Sequence, residues 1–515
     1  MMNLDSYNIY PKYRLGQREA IQDILDAYEK IRSREIESKV VESASPTGSG
    51  KTIINRAVAL ALLDMYPDDF RDVVYTTPLK NLVAQIEEET ALGIPTVTGK
   101  SNYPCISIDG LNASECPYRT AKLIRERPKT CKGCEYAIAK KKFHDASLKA
   151  CTFDFILYNP APADMYIFDE STGVENKLLN HFEVVLPPRI DVHDLINSLR
   201  DWFFDLNIEK EDYNEKLESI MMARKYETNA KELAKSMVQI QMITKNLNSV
   251  DRKMGKVGRI LQLARDPNDY YIDEVTRKFK LIYGKPLFEA FIRKPKLVIM
   301  SSATPNTTLL CDNYTRVEAP HPIPVSRRKV FYQPIGKMSQ KHQDKTIPAM
   351  AAKIMEIHQG YPRQTIVHCH SFGLGLKLKN ALNSDLVILQ EDKKREQWLE
   401  DFLAAKECIG LCMAFDEGLS LNGKQFQRNI IPKVPYPGLG GWVKKRNDSD
   451  EKKYNIDQWY RMTTAITIQQ AAGRTTRGPE DYSETYILDL NFSYFFSQNK
   501  MYFEKWFKDA LVWRK

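Results

Sequence analysis

Short apolar runs of strand length recur along the chain, at "KVVESAS", "DMYIFDEST", "KLVIMSSAT", "RQTIVHCHSF" and "CIGLCMAF". Runs of this kind, with little polar alternation, suit strands buried on both faces of a parallel sheet. Helical spacing lies between them: in "KTIINRAVALALLDMY", Ile54, Ala57, Val58 and Ala61 share one helix face. Strands alternating with helices predict an α/β protein. From residue 176 to about 290 the β pattern fades into "EKEDYNEKLESIMMARKYETNAKELAKSMVQIQMITKNL", which predicts several helices without a sustained heptad. "EAPHPIPVSRRK", with Pro320, Pro322 and Pro324, predicts a linker between two α/β units.

A chain of 515 residues exceeds one ordinary domain. Hydrophobic residues at 43% and charged residues at 27% leave ample material for large cores, as in a soluble protein. Lysine and arginine total 75 against 66 acids, a net +9 that permits nucleic-acid binding without demanding it. The apolar run Ala57 to Leu63 ends at Asp64, far short of the roughly 18 residues of a membrane span. The N-terminus lacks the order of a signal peptide, so the expected location is the cytoplasm, or the nucleoid in a prokaryote. There, nine cysteines are not a disulfide framework, and Cys151, Cys311, Cys369 and Cys408 are expected in cores.

The chemistry starts at "SASPTGSGKT". A strand, a glycine turn and a helix start are the setting of a phosphate-binding loop. Thr47, Gly48, Ser49 and Gly50 would present backbone N–H groups to phosphates, Lys51 would reach the β- and γ-phosphates, and Thr52 would hold Mg²⁺. At the end of the apolar run Met165 to Phe168, Asp169 suits the metal and Glu170 suits the attacking water. In "TIQQAAGRTTRG", Gln470, Arg474 and Arg477 fall at i, i+4 and i+7, which predicts one helix face aimed at a γ-phosphate.

In this order the motifs resemble those of the superfamily 2 helicases. "SPTGSGKT" is similar to that family's A-x-x-G-x-G-K-T, and "YRLGQREAI" to its adenine-reading element, which implies Gln17 on the base with Arg14 and Tyr13 beside it. "YTTPLKNLVAQ" resembles a strand-contacting motif, "SSATP" the element coupling hydrolysis to movement, "DEGLSLNG" the family's W-E-G-[IV]-D-x-x-G, and "QAAGRTTRG" its Q-A-x-G-R-x-x-R. Two positions depart from the pattern: Thr172 stands where D-E-A-H has histidine, and Ser420 where E-G-[IV]-D has aspartate. The first departure puts tight DNA-dependence of hydrolysis in question.

Cys105, Cys116, Cys131 and Cys134 are spaced C-x10-C-x14-C-x2-C. That spacing admits tetrahedral zinc and equally an iron–sulfur cluster. Their place between a strand-contacting motif and the acidic pair, followed by "CEYAIAKKKFHD", resembles the XPD/DinG group, which implies a four-iron four-sulfur cluster in place of zinc. Lys140, Lys141 and Lys142 with Tyr136 and Phe143 would line a single-strand path or form a solvated helix.

The resemblance implies two RecA-like lobes, the first interrupted by a cysteine domain and a helical arch. Expected bounds are 1–98, 150–190 and 291–322 for the first lobe, 99–149 for the cysteine domain, 191–290 for the arch and 323–515 for the second lobe. It further implies an ATP-dependent DNA helicase moving 5′→3′ on single-stranded, tailed or forked DNA. That motor would be monomeric, without a membrane, and open to a loading partner. A remodelling translocase and a nucleic-acid-binding scaffold are the alternatives.

Overall fold

The computed structural model describes residues 4–159, 162–263, 266, 269–390, 395–413, 428–448, 456–475, 478 and 480–514. In chain order the strands are β1 (Val40–Ala44), β2 (Val73–Thr77), β3 (Thr96–Val97), β4 (Leu148–Thr152), β5 (Met165–Asp169), β6 (Val184–Val185), β7 (Tyr270–Ile272), β8 (Lys278–Leu281), β9 (Leu297–Ser302) and β10 (Thr315–Glu318). The second half adds β11 (Arg328–Gly336), β12 (Gln364–His368), β13 (Val387–Leu389), β14 (Cys408–Cys412), β15 (Arg428–Ile431), β16 (Ser483–Asp489) and β17 (Leu511–Trp513).

Two parallel seven-stranded sheets result, ordered β10-β1-β9-β5-β2-β4-β3 and β13-β14-β12-β15-β16-β11-β17. These are the two RecA-like lobes. Helices cover both faces of the first, and this explains its continuous apolar strands. Along β5, Tyr166 and Phe168 enter one core while Met165 and Ile167 enter the other. With alternate residues pointing to opposite faces, both sets must be apolar.

The region between β6 and β9 is built on two long helices, Leu195–Arg224 and Ala230–Leu263. It is not wholly helical: β7 and β8 pair antiparallel, and β6 joins β8. The alternation in "KFKL" around buried Phe279 and Leu281 is the local cause. The cysteine-bearing segment packs on those helices through Ile108, Leu111, Tyr118 and Leu123 against Leu217, Ile240, Ile243 and Leu247. Arg119 reinforces the contact, donating to Asn248 at 2.9 Å and Asp251 at 2.7 Å. Among the described residues, no helix is long and apolar enough to cross a membrane.

Candidate nucleotide site between the two lobes

β1 ends in a loop that leads directly into the Lys51–Met65 helix. Gly48 and Gly50 take φ of 81° and 76°, the left-handed region glycine enters without strain. A Cβ on Gly50 would also lie 2.4 Å from Gln17 Nε2, so a larger residue would push Gln17 out of its place against the loop. Gln17 is buried; its Nε2 donates to the Ser49 carbonyl at 2.7 Å, and its Oε1 accepts from Arg14 N at 2.7 Å. Arg14 Nη1 donates to the Gly48 carbonyl at 2.7 Å. Arg14 and Gln17 therefore brace the loop from its N-terminal side. Arg14, Gln17, Gly50, Thr52 and Asp169 share the wall of one 480 Å³ cavity. Tyr13 does not join them, because its hydroxyl donates to the Leu4 carbonyl at 2.7 Å.

Lys51 Nζ lies 3.1 Å from Glu170 Oε1, closing the loop onto the acidic pair. Glu170 has φ 50°, a left-handed conformation uncommon for a side-chain-bearing residue and one that collects at functional sites. Asp169 Oδ1 accepts from the Glu170 amide at 3.0 Å. Burial, then the neighbouring Glu170, pushes the Asp169 carboxyl up from its usual range, against the opposing pull of Lys51.

Tyr75 opens the motif "YTTPLKNLVAQ", but the motif does not reveal its role at the acidic pair. Fully buried on β2, its hydroxyl donates to Asp169 Oδ2 at 2.5 Å and also meets Thr52. The available signal is generic: a tyrosine in a buried apolar run needs a partner for its hydroxyl. Thr172 likewise has a definite role, since its Oγ1 meets Ser302 Oγ at 2.7 Å and donates to the Thr304 carbonyl at 2.9 Å. Asn306 Nδ2 donates back to the Thr172 carbonyl at 3.0 Å. The acidic-pair loop is thus tied to "SSATP" despite the missing histidine.

The second lobe meets this site with the end of the Ile456–Ala472 helix. A Cβ on Gly473 would sit 3.1 Å from Thr47 Oγ1, so the two lobes touch at the phosphate loop. Gly473 also corrects the expected helix face: the helix stops before it, leaving half-buried Gln470 on the last turn and buried Arg474 in the turn beyond. Arg477 and the segment "DEGLSLNG" lie outside the described residues. Trp506 Nε1 donates to the Ala303 carbonyl at 3.1 Å, linking the second lobe to "SSATP". Arg316, held at 2.6 Å by Glu42 of its own sheet, joins the lobes again through Glu504.

Residues 354–510 match the helicase C-terminal domain family. The whole chain is similar in structure to a solved XPD helicase, at 14% identity and TM-score 0.63, covering 98% of this chain and 100% of that one. The chain has the fold of the XPD helicases. Xpd4 of S. tokodaii is similar over 97% of this chain and 99% of its own, with TM-score 0.57 and 14% identity. An apo XPD structure covers 95% and 99%, with TM-score 0.55 and 14% identity. No curated protein sequence matches the chain.

Within this XPD-type fold, Cys105, Cys116, Cys131 and Cys134 line a single 580 Å³ cavity. Among the described residues, no three His, Cys, Asp or Glu side chains gather around one point as a single ion requires. Ser107 Oγ lies 2.8 Å from Cys131 Sγ, and burial pushes the Cys116 thiol up. Lys140 and Lys141 line the same cavity. Tyr136 and Phe143 are buried, so neither can offer its ring to a passing base. Tyr136 packs edge-on to Tyr103 at 5.5 Å, and Phe143 to Phe155 at 5.7 Å. Core packing claimed these aromatics, so of the two readings of this segment the single-strand path loses its stacking rings.

Proposed function

We propose that the protein is an ATP-dependent DNA helicase translocating 5′→3′ on a single strand. The contact of Gly473 with Thr47 supports the ATP-driven part most directly, because it brings the arginine-bearing turn of one lobe to the phosphate loop of the other, while the DNA substrate and the polarity rest on the resemblance. In this reading Thr47 to Gly50 cradle the phosphates, and Lys51 gives up Glu170 for the β- and γ-phosphates. Thr52 and Asp169 would hold Mg²⁺, with the Tyr75 hydroxyl fixing the Asp169 carboxylate. Glu170 orients and deprotonates the attacking water, while Gln470, Arg474 and Arg477 meet the charge developing on the γ-phosphate. Closing and opening of the lobes then advances the strand.

The four cysteines suit a four-iron four-sulfur cluster. Four thiolates also suit tetrahedral zinc, and it is their place in the chain, resembling that of the XPD/DinG group, that favours the cluster. The cluster would pin a small loop-rich domain and takes no part in phosphoryl transfer. Iron content and visible absorbance of protein purified without oxygen test it, with stoichiometric zinc the contrary result. Thr172, in place of a histidine, favours a remodelling translocase as the second reading.

The deciding experiment compares opening of a duplex with a 5′ tail and one with a 3′ tail, for the protein and its Lys51→Ala variant. Opening of the 5′-tailed substrate alone, lost in the variant, is expected. Strand-stimulated ATP hydrolysis without opening of either substrate would favour the remodeller, and absence of hydrolysis would favour the scaffold.

A further inference from the structure

A 700 Å³ cavity opens between the Ala230–Leu263 helix and the edge of the first sheet opposite the phosphate loop. Strands β1, β9 and β5 run parallel. The phosphate loop follows the C-terminal end of β1, whereas Arg293 and Lys294 on the cavity wall precede the start of β9. The long helix adds Arg252, Lys256 and Arg259, at i, i+4 and i+7 on one face. One lining carboxylate, Asp251, is already held by Arg119 at 2.7 Å and Lys210 at 2.8 Å. Among the described residues, no carboxylate pairs with Arg252, Arg259, Arg293 or Lys294. Lys256 stands apart: its Nζ donates to the Glu183 carbonyl at 2.6 Å, and the Glu183 carboxylate, paired with Lys278, lies close by.

So much unneutralised positive charge in a concave site calls for a polyanion. The helical cations extend over about 10 Å, more than a single phosphate needs. Beside them Tyr158 is 49% exposed, and its ring is held edge-on against His181 at 4.4 Å. Arg252 lies close enough to act on the Tyr158 hydroxyl. Cations that track a backbone, with an aromatic face held among them, form the recognition pattern of single-stranded nucleic acid.

We propose that this cavity is a second single-strand site, away from the ATP-driven face, in which Arg252, Arg259, Arg293 and Lys294 grip phosphates and Tyr158 stacks a base. The proposal rests on the reading of the protein as a nucleic-acid motor. A strand leaving the motor, or its tail, would be retained there.

The test uses full-length protein and fluorescent dT10 and dT30 without ATP, titrated across potassium chloride concentrations. The Arg252→Ala/Arg259→Ala variant should bind dT30 at least tenfold more weakly, with the salt slope reduced by about 1.4 for two lost phosphate contacts. Arg252→Lys/Arg259→Lys should retain the slope. Tyr158→Leu should weaken dT30 about tenfold with its slope unchanged. Binding of dT10 and strand-independent ATP hydrolysis should stay as in the parent. Unchanged dT30 affinity and slope in the alanine variant would overturn this site alone. A parent protein that binds neither oligonucleotide would instead sink the nucleic-acid reading on which it rests.

Discussion

Removing Arg446 should loosen the junction between the two lobes. Arg446 lies on the Gly441–Asp448 helix of the second lobe, and Glu175 follows the acidic-pair loop of the first. Their side chains are 4% and 3% exposed, with Arg446 Nη2 2.8 Å from Glu175 Oε1. Arg446 also sits 4.4 Å over Trp459, which packs edge-on to Trp442 at 5.6 Å. Trp442 Nε1 donates to the Leu281 carbonyl of β8 at 3.0 Å. Charge centres roughly 4 Å apart attract by about 4 kcal/mol at an effective dielectric of 20. Desolvation offsets much of that attraction, so the pair adds little net stability. Its removal is another matter. Arg446→Met leaves the Glu175 carboxylate buried, with the Gly284 amide at 3.3 Å and the nearby Lys280 ammonium in place of the guanidinium, a loss of about 3–5 kcal/mol.

Native-state hydrogen exchange in the Val174–His181 and Gly441–Asp448 helices measures this directly. Opening there should become about two to four orders of magnitude more frequent, at 1.4 kcal/mol per tenfold. Glu175→Leu combined with Arg446→Met should recover to within about 1 kcal/mol of the parent, since no lone charge remains buried. A loss below about 1 kcal/mol for Arg446→Met, the range of an exposed pair, would refute the buried junction.

Asp169→Asn should abolish Mg²⁺-dependent ATP hydrolysis yet raise the melting temperature of nucleotide-free protein at pH 7–8, because burial raises the folded carboxyl and its ionised form costs stability above that value; a lowered melting temperature would contradict this. His368 is buried and its pKa is lowered to about 3, chiefly by burial, so below the ordinary 6.5 the unfolded chain takes a proton that the native state refuses. Stability should therefore fall with acid, with His368 contributing about 2 kcal/mol of loss by pH 5, and His368→Gln should flatten the urea midpoint against pH accordingly. Thr172→Val should leave basal hydrolysis within about twofold but cut strand stimulation up to about tenfold, the worth of one partly buried hydrogen bond; equal stimulation in the variant would remove Thr172 from the coupling path.

The parts of the site that were legible in the sequence are those whose physics is local. A phosphate loop needs glycines, a lysine and a helix start within a few residues, and Gly48, Gly50 and Lys51 supply them. The acidic pair was legible because an apolar strand runs directly into Asp169. Both lobes followed from strands buried on two faces, a pattern carried by each strand alone. The β7–β8 hairpin was hidden by its neighbours: three or four residues of alternation are little signal beside helices of 30 and 34 residues.

The remaining features depend on partners far apart in the chain. Tyr75 and Asp169 are 94 positions apart, and Glu175 and Arg446 are 271 apart. Nothing near Tyr75 distinguishes a hydroxyl that serves a carboxylate from one that caps a core. Tyr136 and Phe143 show the same gap in reverse, since a lysine run flanked by aromatics reads alike whether the rings face inward or outward. Gly473 stands between the two cases. Its role as a helix stop is local, but its need to be small arises because Thr47 approaches from the other lobe. A residue under both constraints is where helix termination and lobe closure become one requirement. A side chain at 473 would therefore disturb the nucleotide site from a lobe that contributes nothing to the phosphate loop itself.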